Sequence, residues 1–315
     1  MRKVVGIGET VFDIIFKNGQ PMRATPGGST YNSMISIGRA GLSAEFISET
    51  GDDRVGRRIC DFLEENGVSA KNVCIHKGQK SALSLAFLND ENDAEYVFYK
   101  DHANDRLEFQ YPEIQPDDVV LFGSYYSINP VVRHQVKPFL EYAKQHGAIL
   151  YYDINFRASH KNEAEKLMEN IHENLSFCDI VRGSSEDFEI LYGLKDIDEI
   201  YQKEISSFVR NLIYTRGASP AELRTVDHLS RQYPVRPIHT VSTIGAGDSF
   251  NAGFIYGLIR DGVTGEQIRN GLKAESWDEL FMYAQAFSAD VCQRFENYID
   301  RNLMKQEAFH VRHKD

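Results

Sequence analysis

Two close glycines and a carboxylate stand together in Thr243-Ile244-Gly245-Ala246-Gly247-Asp248-Ser249-Phe250. Val235, Ile238 and Val241 before it read as an extended run. Phe250, Phe254 and Leu258 after it recur at helical spacing, so a strand should give way to a helix that begins at or near Asp248. The first amides of a helix lack intrahelical partners and the macrodipole adds about half a positive charge there, so backbone alone can hold a phosphate oxygen. Glycine at 245 and 247 lets such a ligand come close. An aspartate in the first turn is then within reach of a hydroxyl attacking that phosphate, the place of a general base in phosphoryl transfer. The same residues also read as a Gly-rich loop with a capping Asp, worth about 1 kcal/mol to the helix and no chemistry. The rest of the chain weighs between the two.

Pro26-Gly27-Gly28-Ser29-Thr30-Tyr31-Asn32 opens a helical pattern that ends at Gly41. It is either a turn with a helix cap or a close backbone approach to a small polar ligand, with Asn32 supplying a donor and an acceptor. Asp153-Ile154-Asn155-Phe156-Arg157 follows an apolar run at the carboxyl end of a strand candidate, the edge at which open parallel sheets bind ligands. Gly6-Ile7-Gly8 lacks the third glycine of a dinucleotide fingerprint, since Val11 stands there, and Gly78-Gln79-Lys80-Ser81 has the wrong spacing for a P-loop. A nucleotide must therefore be bound by other geometry.

Short apolar runs at 3–8, 45–49, 119–123, 148–154, 178–182 and 211–215 alternate with helical patterns near 29–40, 54–66, 131–146, 162–175 and 185–192. That alternation predicts an α/β fold with a mostly parallel sheet covered by helices on both faces. Residues 11–24 and 81–100 break it; the second is a hairpin around the polar turn 89–93, with no crossover helix. A patch that small needs support, as a lid over the main sheet or as a clasp on a second subunit. Trp277, Leu280, Phe281, Tyr283, Ala284 and Phe287 form a core stripe within a helical last third, 264–300.

With 35 Lys+Arg against 46 Asp+Glu, the formal charge of −11 argues against nucleic acid or an anionic membrane as partner. The run up to Gly8 is too short for a signal-peptide core and no stretch reaches the length of a membrane span, so a cytoplasmic location is expected. Cys60, Cys74, Cys178 and Cys292 are widely separated and read as free thiols. His310 and His313 in the charged tail read as solvated rather than as metal ligands. No internal repeat or linker divides the 315 residues, which favours one continuous domain.

Taken in order, these motifs resemble the ribokinase-like PfkB family of carbohydrate kinases from about residue 4 to 300. Gly27-Gly28-Ser29-x-x-Asn32 with Gly38 and Gly41 is similar to the family's first signature, and Thr243-Ile-Gly-Ala-Gly-Asp248 to its second. Gly51-Asp52-Asp53-x-x-Gly56 and Asp153-x-Asn155-x-Arg157 resemble two elements between them. The resemblance implies a three-layer α/β/α core, in one domain of 1–315 with a discontinuous β lid from about 11–24 and 81–111. It implies ATP and Mg²⁺ as cofactors, Asp248 as base, and an anion hole of the Gly245, Ala246 and Gly247 amides. Asp13, Gly28, Asn32, Asn155 and Arg157 would hold the sugar, and Thr215 and Gly217 the edge of the nucleotide pocket.

Three positions depart from the pattern. Ser184 and Asp187 stand at the Asn and Glu places of the N-x-x-E element, leaving Mg²⁺ to the ATP phosphates and to Asp187 through water. Ser242 replaces an aspartate, which opens the question of a monovalent cation, and Pro220 replaces a glycine beside the adenine loop. The expectation is a fructokinase-like enzyme phosphorylating a primary hydroxyl of fructose. Ser29, in place of the lysine of other variants, and the lack of a basic cluster near Asp13 argue against a phosphorylated acceptor. Alternatives are a kinase for 2-keto-3-deoxygluconate or a nucleoside, and an inactive sugar-binding protein on the same fold.

Overall fold

Strands that are apolar at nearly every position can only be buried on both faces, and the centre of the main sheet, Lys3–Ile7, Val119–Gly123 and Ile149–Asp153, is built of such strands. The computed structural model describes residues 2–89, 94–100, 107–225 and 227–306. Its strands are β1 (Lys3–Ile7), β2 (Val11–Lys17), β3 (Gln20–Gly27), β4 (Ser43–Gly51), β5 (Val68–His76), β6 (Leu83–Leu88), β7 (Ala94–Tyr99), β8 (Val119–Gly123), β9 (Ile149–Asp153), β10 (Ile180–Ser184), β11 (Asn211–Arg216), β12 (Ser219–Thr225) and β13 (Ser230–Tyr233). The helices are α1 (Ser29–Arg39), α2 (Arg54–Glu65), α3 (Ser124–Ile128), α4 (Pro130–Gln145), α5 (Ala164–Phe177), α6 (Ser185–Tyr192), α7 (Ile197–Ile200), α8 (Ala246–Arg260), α9 (Gly265–Asn270) and α10 (Ala274–Cys292).

The large sheet runs β13-β12-β11-β10-β9-β8-β1-β4-β5, parallel from β11 to β5 and antiparallel at β12 and β13. Its side chains alternate between two cores. Val4, Val119, Leu121, Ile149 and Tyr151 face α1, α2, α8 and α10, whereas Val5, Val120, Phe122, Leu150 and Tyr152 face α4, α5 and α6. The stripe on α10 packs on α8, with Phe254 in ring contact with Tyr151, Trp277 and Phe281. From β1 the chain winds outward to β4 on one side and to β8 on the other, so the carboxyl ends of β1 and β8 flank the switch-point crevice.

A second sheet, β3-β2-β6-β7, supplies the expected β layer beside the crevice. Its root is pinned by Asp53, which caps α2 through the Gly56 N–H at 2.8 Å and accepts from the Ser81 N–H at 2.9 Å and hydroxyl at 2.7 Å. The Gly51-x-Asp53-x-x-Gly56 motif is therefore the joint between the two sheets. An ion pair between Lys100, just past β7, and Glu9, just past β1, ties the edge strand down at the same end, where Tyr99 pairs with Leu83.

Some expectations are corrected. No strand covers 235–241 or leads directly into α8: residues 234–245 run irregularly along the surface, because Pro234 and Pro237 lack ladder donors, and the Val241 and Ser242 amides reach back to the Cys292 carbonyl. β5 and β13, the two edge strands, and β12 between β13 and β11 escaped notice, being of mixed polarity. Residues 107–111 carry no strand, and Leu107 is buried in the core beside α4. The helical last third is α9 and α10, followed from Gln293 by irregular chain with a short 3-10 turn at Leu303–Lys305. Residues 90–93 of the predicted turn, 101–106 of the predicted lid, and His310 and His313 lie outside the described residues. All four cysteines are free. Among the described residues no helix is long and apolar enough to cross a membrane.

Phe254, fully buried among three rings, carries much of the α8–α10 interface. Phe254→Ala should lower the unfolding free energy by about 3–5 kcal/mol, read from the midpoint of a urea titration at unchanged slope.

Candidate active site

Helix α8 begins at Ala246 behind Gly245, whose φ of 80° belongs to the left-handed region and whose Cα lies so close to the Asn297 carbonyl that a methyl group would sit 2.4 Å from it. Only glycine meets both demands. One turn in, the half-buried Asp248 carboxylate is held by two residues of α1: Ser29 Oγ donates to Oδ1 at 2.9 Å and Asn32 Nδ2 to Oδ2 at 2.9 Å. Ser33 Oγ adds a bond to the Asp248 carbonyl at 2.8 Å. Asn32 is 5% exposed, yet its Oδ1 has no partner among the described residues, which leaves one acceptor beside the carboxylate for something else to satisfy.

Burial pushes the Asp248 carboxyl up to about 6; the Asn32 bond opposes it, Asp153 adds to it, and Arg157 and Ser29 oppose it again. Asp13, on β2 of the small sheet, is also pushed up to about 6. Burial is the main cause, the Ser84 hydroxyl works against it, and the negative charges of Asp248 and Glu9 add to it. Asp13 thus senses the charge of Asp248. Room for Asp13 comes from Gly27, where a methyl group would lie 2.1 Å from its Oδ2. Gly28 caps α1 at φ 126°, pressed against the Glu9 carbonyl. The tandem glycines therefore serve the carboxylate on one side and the helix start on the other.

Under the first turn of α8 runs a buried polar chain. Tyr151 donates to Asn251 Oδ1 at 3.1 Å, Asn251 Nδ2 to Asp153 Oδ2 at 2.8 Å, Arg182 Nη1 to Asp153 Oδ1 at 3.0 Å, and Arg182 Nη2 to Thr215 Oγ1 at 2.7 Å. Burial works against the Arg182 charge, but Asp153 and Asp187 more than restore it. Asp187 is 4% exposed and fully occupied locally. It accepts from the Ser184 N–H at 2.6 Å and hydroxyl at 2.8 Å, as the capping box of α6, and from the Phe156 N–H at 2.7 Å.

The structure gathers Asp248, Gly247, Asn32, Gly28 and Asp13 in one crevice, with Thr215 joined to it through Arg182. Arg157 is exposed near Asp248. Asn155, at φ 38° between buried Ile154 and Phe156, makes no side-chain hydrogen bond among the described residues. Gly217 occupies the exposed two-residue turn between β11 and β12 and joins none of these bonds. Ser184 and Asp187 bind each other instead of facing the crevice. Two contributors were missed from sequence. Ser29 had looked like a substituted lysine, and Arg182 sat unnoticed inside the apolar run Ile180-Val181-Arg182, although a charge in a buried strand demands a partner.

The family model described as "pfkB family carbohydrate kinase" matches residues 1–301. The chain belongs to the pfkB family of carbohydrate kinases. Among its relatives, a 5-dehydro-2-deoxygluconokinase of Geobacillus thermodenitrificans is 28% identical over 246 residues, covering 74% of this chain and 72% of the relative. Fructokinase-1 of Zea mays is 27% identical over 270 residues, covering 82% and 83%. The crystal structure of a fructokinase with bound ATP from Xylella fastidiosa superposes with a TM-score of 0.83 over 99% of this chain and 100% of that one, at 21% identity.

In this family member the residues at the altered N-x-x-E element do not suit a metal. Asp187 is 4% exposed and both of its oxygens already accept hydrogen bonds, and among the described residues no cluster of three or more His, Cys, Asp or Glu is arranged for an ion. Ser242 accepts from the Ile244 N–H at 3.2 Å, a turn-forming bond. A cleft of about 680 Å³ lined by Asn72, Phe109 and Tyr111 lies along β5 and shares no residue with the Asp248 crevice. Asp187→Ala should cost about 1–3 kcal/mol of stability through the lost cap and the stranded Phe156 amide, measured by urea unfolding. An unchanged midpoint would remove the structural role and return Asp187 to ligand duty.

Proposed function

We propose that this carbohydrate kinase transfers the γ-phosphoryl group of ATP to a primary hydroxyl of fructose, with Asp248 as general base. The observation that carries the reading is the Asp248 carboxylate, held by Ser29 and Asn32 in the first turn of α8 beside an Asn32 oxygen that has no partner among the described residues. The attacking hydroxyl, lodged between Asp13 and Asn32, would donate its proton to Asp248 and present its oxygen to the phosphorus, while a neighbouring sugar hydroxyl would donate to the Asn32 oxygen. The Gly245, Ala246 and Gly247 amides at the helix end would receive the phosphoryl oxygens, with Arg157 at the open side. Thr215 and Gly217 would border the nucleotide, and Asn155 the sugar. Mg²⁺ would arrive with the nucleotide phosphates and offset their charge; no protein ligand for it is assigned. Catalysis is then positioning and electrostatics, with one proton moved to Asp248.

An uncharged acceptor fits the crevice better than a sugar acid. Glu9, Asp13 and Asp248 are all carboxylates, and Lys100 is already engaged by Glu9. A substrate carboxylate would add a fourth like charge. The rival acceptor is the sugar acid in the name of the Geobacillus relative, which would have to draw Lys100 away from Glu9. Contact between the small sheets of two copies is part of the same reading, since Met22 and Phe98 stand half-exposed on that sheet, at 52% and 51%.

A coupled ADP assay over a dozen sugars and sugar acids should give the highest kcat/KM with fructose; preference for an acid would overturn the neutral-acceptor assignment. Asp248→Asn should bind fructose normally in calorimetry while turning over about 10²–10⁴ times more slowly. The base works ionised, and burial keeps it protonated up to about 6, so kcat/KM should be level above that value and fall about tenfold per pH unit below it. Because Asp13 titrates in the same range, the acid limb belongs to the pair. A rate unchanged between pH 7 and pH 5 would deny Asp248 the role.

A further inference from the structure

Arg182 is a full charge at a position that an apolar side chain could fill. It shares the α8-facing side of β10 with Ile180 and is only 8% exposed. Two of its nitrogens are bonded, to Asp153 and Thr215, while its Nε is buried with no partner among the described residues. The guanidinium lies flat against the turn before Asp248: a methyl group on Gly247 would stand 3.0 Å from Nη2 and 3.1 Å from Nη1. Replacing a buried ion pair by apolar residues is often neutral or stabilising, so stability alone gives no reason to keep it.

We propose that Arg182 is the fixed cationic floor of the phosphoryl site, acting from beneath the Gly247 turn on charge that develops in the transferred group. It also positions Thr215 at the nucleotide side. This rests on the reading of the α8 turn as the phosphoryl cradle. In the step it serves, the acceptor oxygen bonds to the γ-phosphorus and the bond from that phosphorus to the bridging oxygen breaks. ADP leaves with the electron pair and the hydroxyl proton passes to Asp248. Arg182 neither gains nor loses a proton. Its worth lies in being positive, immobile and shielded from water, where a charge acts far more strongly than the exposed Arg157 can.

The test compares Arg182→Lys with Arg182→Met, measuring kcat, KM for ATP and fructose, and fructose binding by calorimetry. The Met variant should bind fructose as the parent does and lose about 10²–10³ in kcat, whereas Lys, which keeps the charge without the fork, should stay within about tenfold. A fructose-binding Met variant with kcat within about threefold of the parent overturns the proposal, as does an equal loss in both variants. Either result leaves the kinase reading intact, provided that the parent phosphorylates fructose and Asp248→Asn does not. If the parent phosphorylates no sugar, that reading fails and takes this one with it. Should Arg182→Met lose fructose binding, the pair is removed together as Asp153→Asn with Arg182→Met; continued loss of binding marks Arg182 as a structural pin and overturns the proposal.

Discussion

The bond between α1 and the first turn of α8 is the constraint around which this molecule is arranged. Asn32 and Asp248 are 216 residues apart in the chain, yet a 2.9 Å hydrogen bond joins them, with Ser29 and Ser33 on either side. Both helices lie on the same face of the large sheet, and both present their amino ends to the same crevice. Two helix ends meeting there concentrate unpaired amides and partial positive charge at one point. A carboxylate belongs between them for electrostatic reasons, and burial holds it near the pKa that a base working close to neutrality requires.

Around that point the fold divides labour between two kinds of packing. Away from the crevice, strand side chains alternate into two apolar cores, and the α8–α10 interface is almost wholly aromatic and aliphatic. At the carboxyl ends of β9, β10 and β11 the same alternation delivers Asp153, Arg182 and Thr215 instead, linked in one chain of hydrogen bonds. Each of these groups would be costly alone in such a place; linked, they form a rigid support under the α8 turn. Backbone in the left-handed region gathers nearby, at Ser124 with φ 49° and Asn155 with φ 38°, just past β8 and β9. Conformations of that kind persist where surrounding structure over-determines them.

Much of this was legible in residue order. Gly27-Gly28, Asn32 and Gly245-x-Gly247-Asp248 announced themselves because a glycine pair beside a polar residue at a helix start has few uses, and the structure shows what each glycine makes room for. The strand expected at 235–241 failed because its apolar residues read as a pattern while Pro234 and Pro237 deny it a ladder. Asp187 illustrates a different limit. Its spacing from Ser184 matches a ligand position and a capping box equally well, and only the Phe156 amide arriving from another loop shows that its oxygens are taken. Arg182 was invisible for want of a partner nearby in sequence.

Periodicity, glycine placement and charge balance are properties of neighbouring residues, and the sequence by itself therefore determined the α/β alternation, the helix starts at Ser29 and near Asp248, the absence of a nucleic-acid signature, and the family. Which polar groups face one another depends on strand order and helix crossing, which bring together residues tens to hundreds of positions apart. The tertiary structure alone decided that Asp13 is buried within reach of the Asp248 charge, that Asp187 is spent on a helix cap, and that a buried arginine lies against the glycine turn. Each of those is a long-range contact whose energy is set by burial, and burial exists only once the chain has closed on itself.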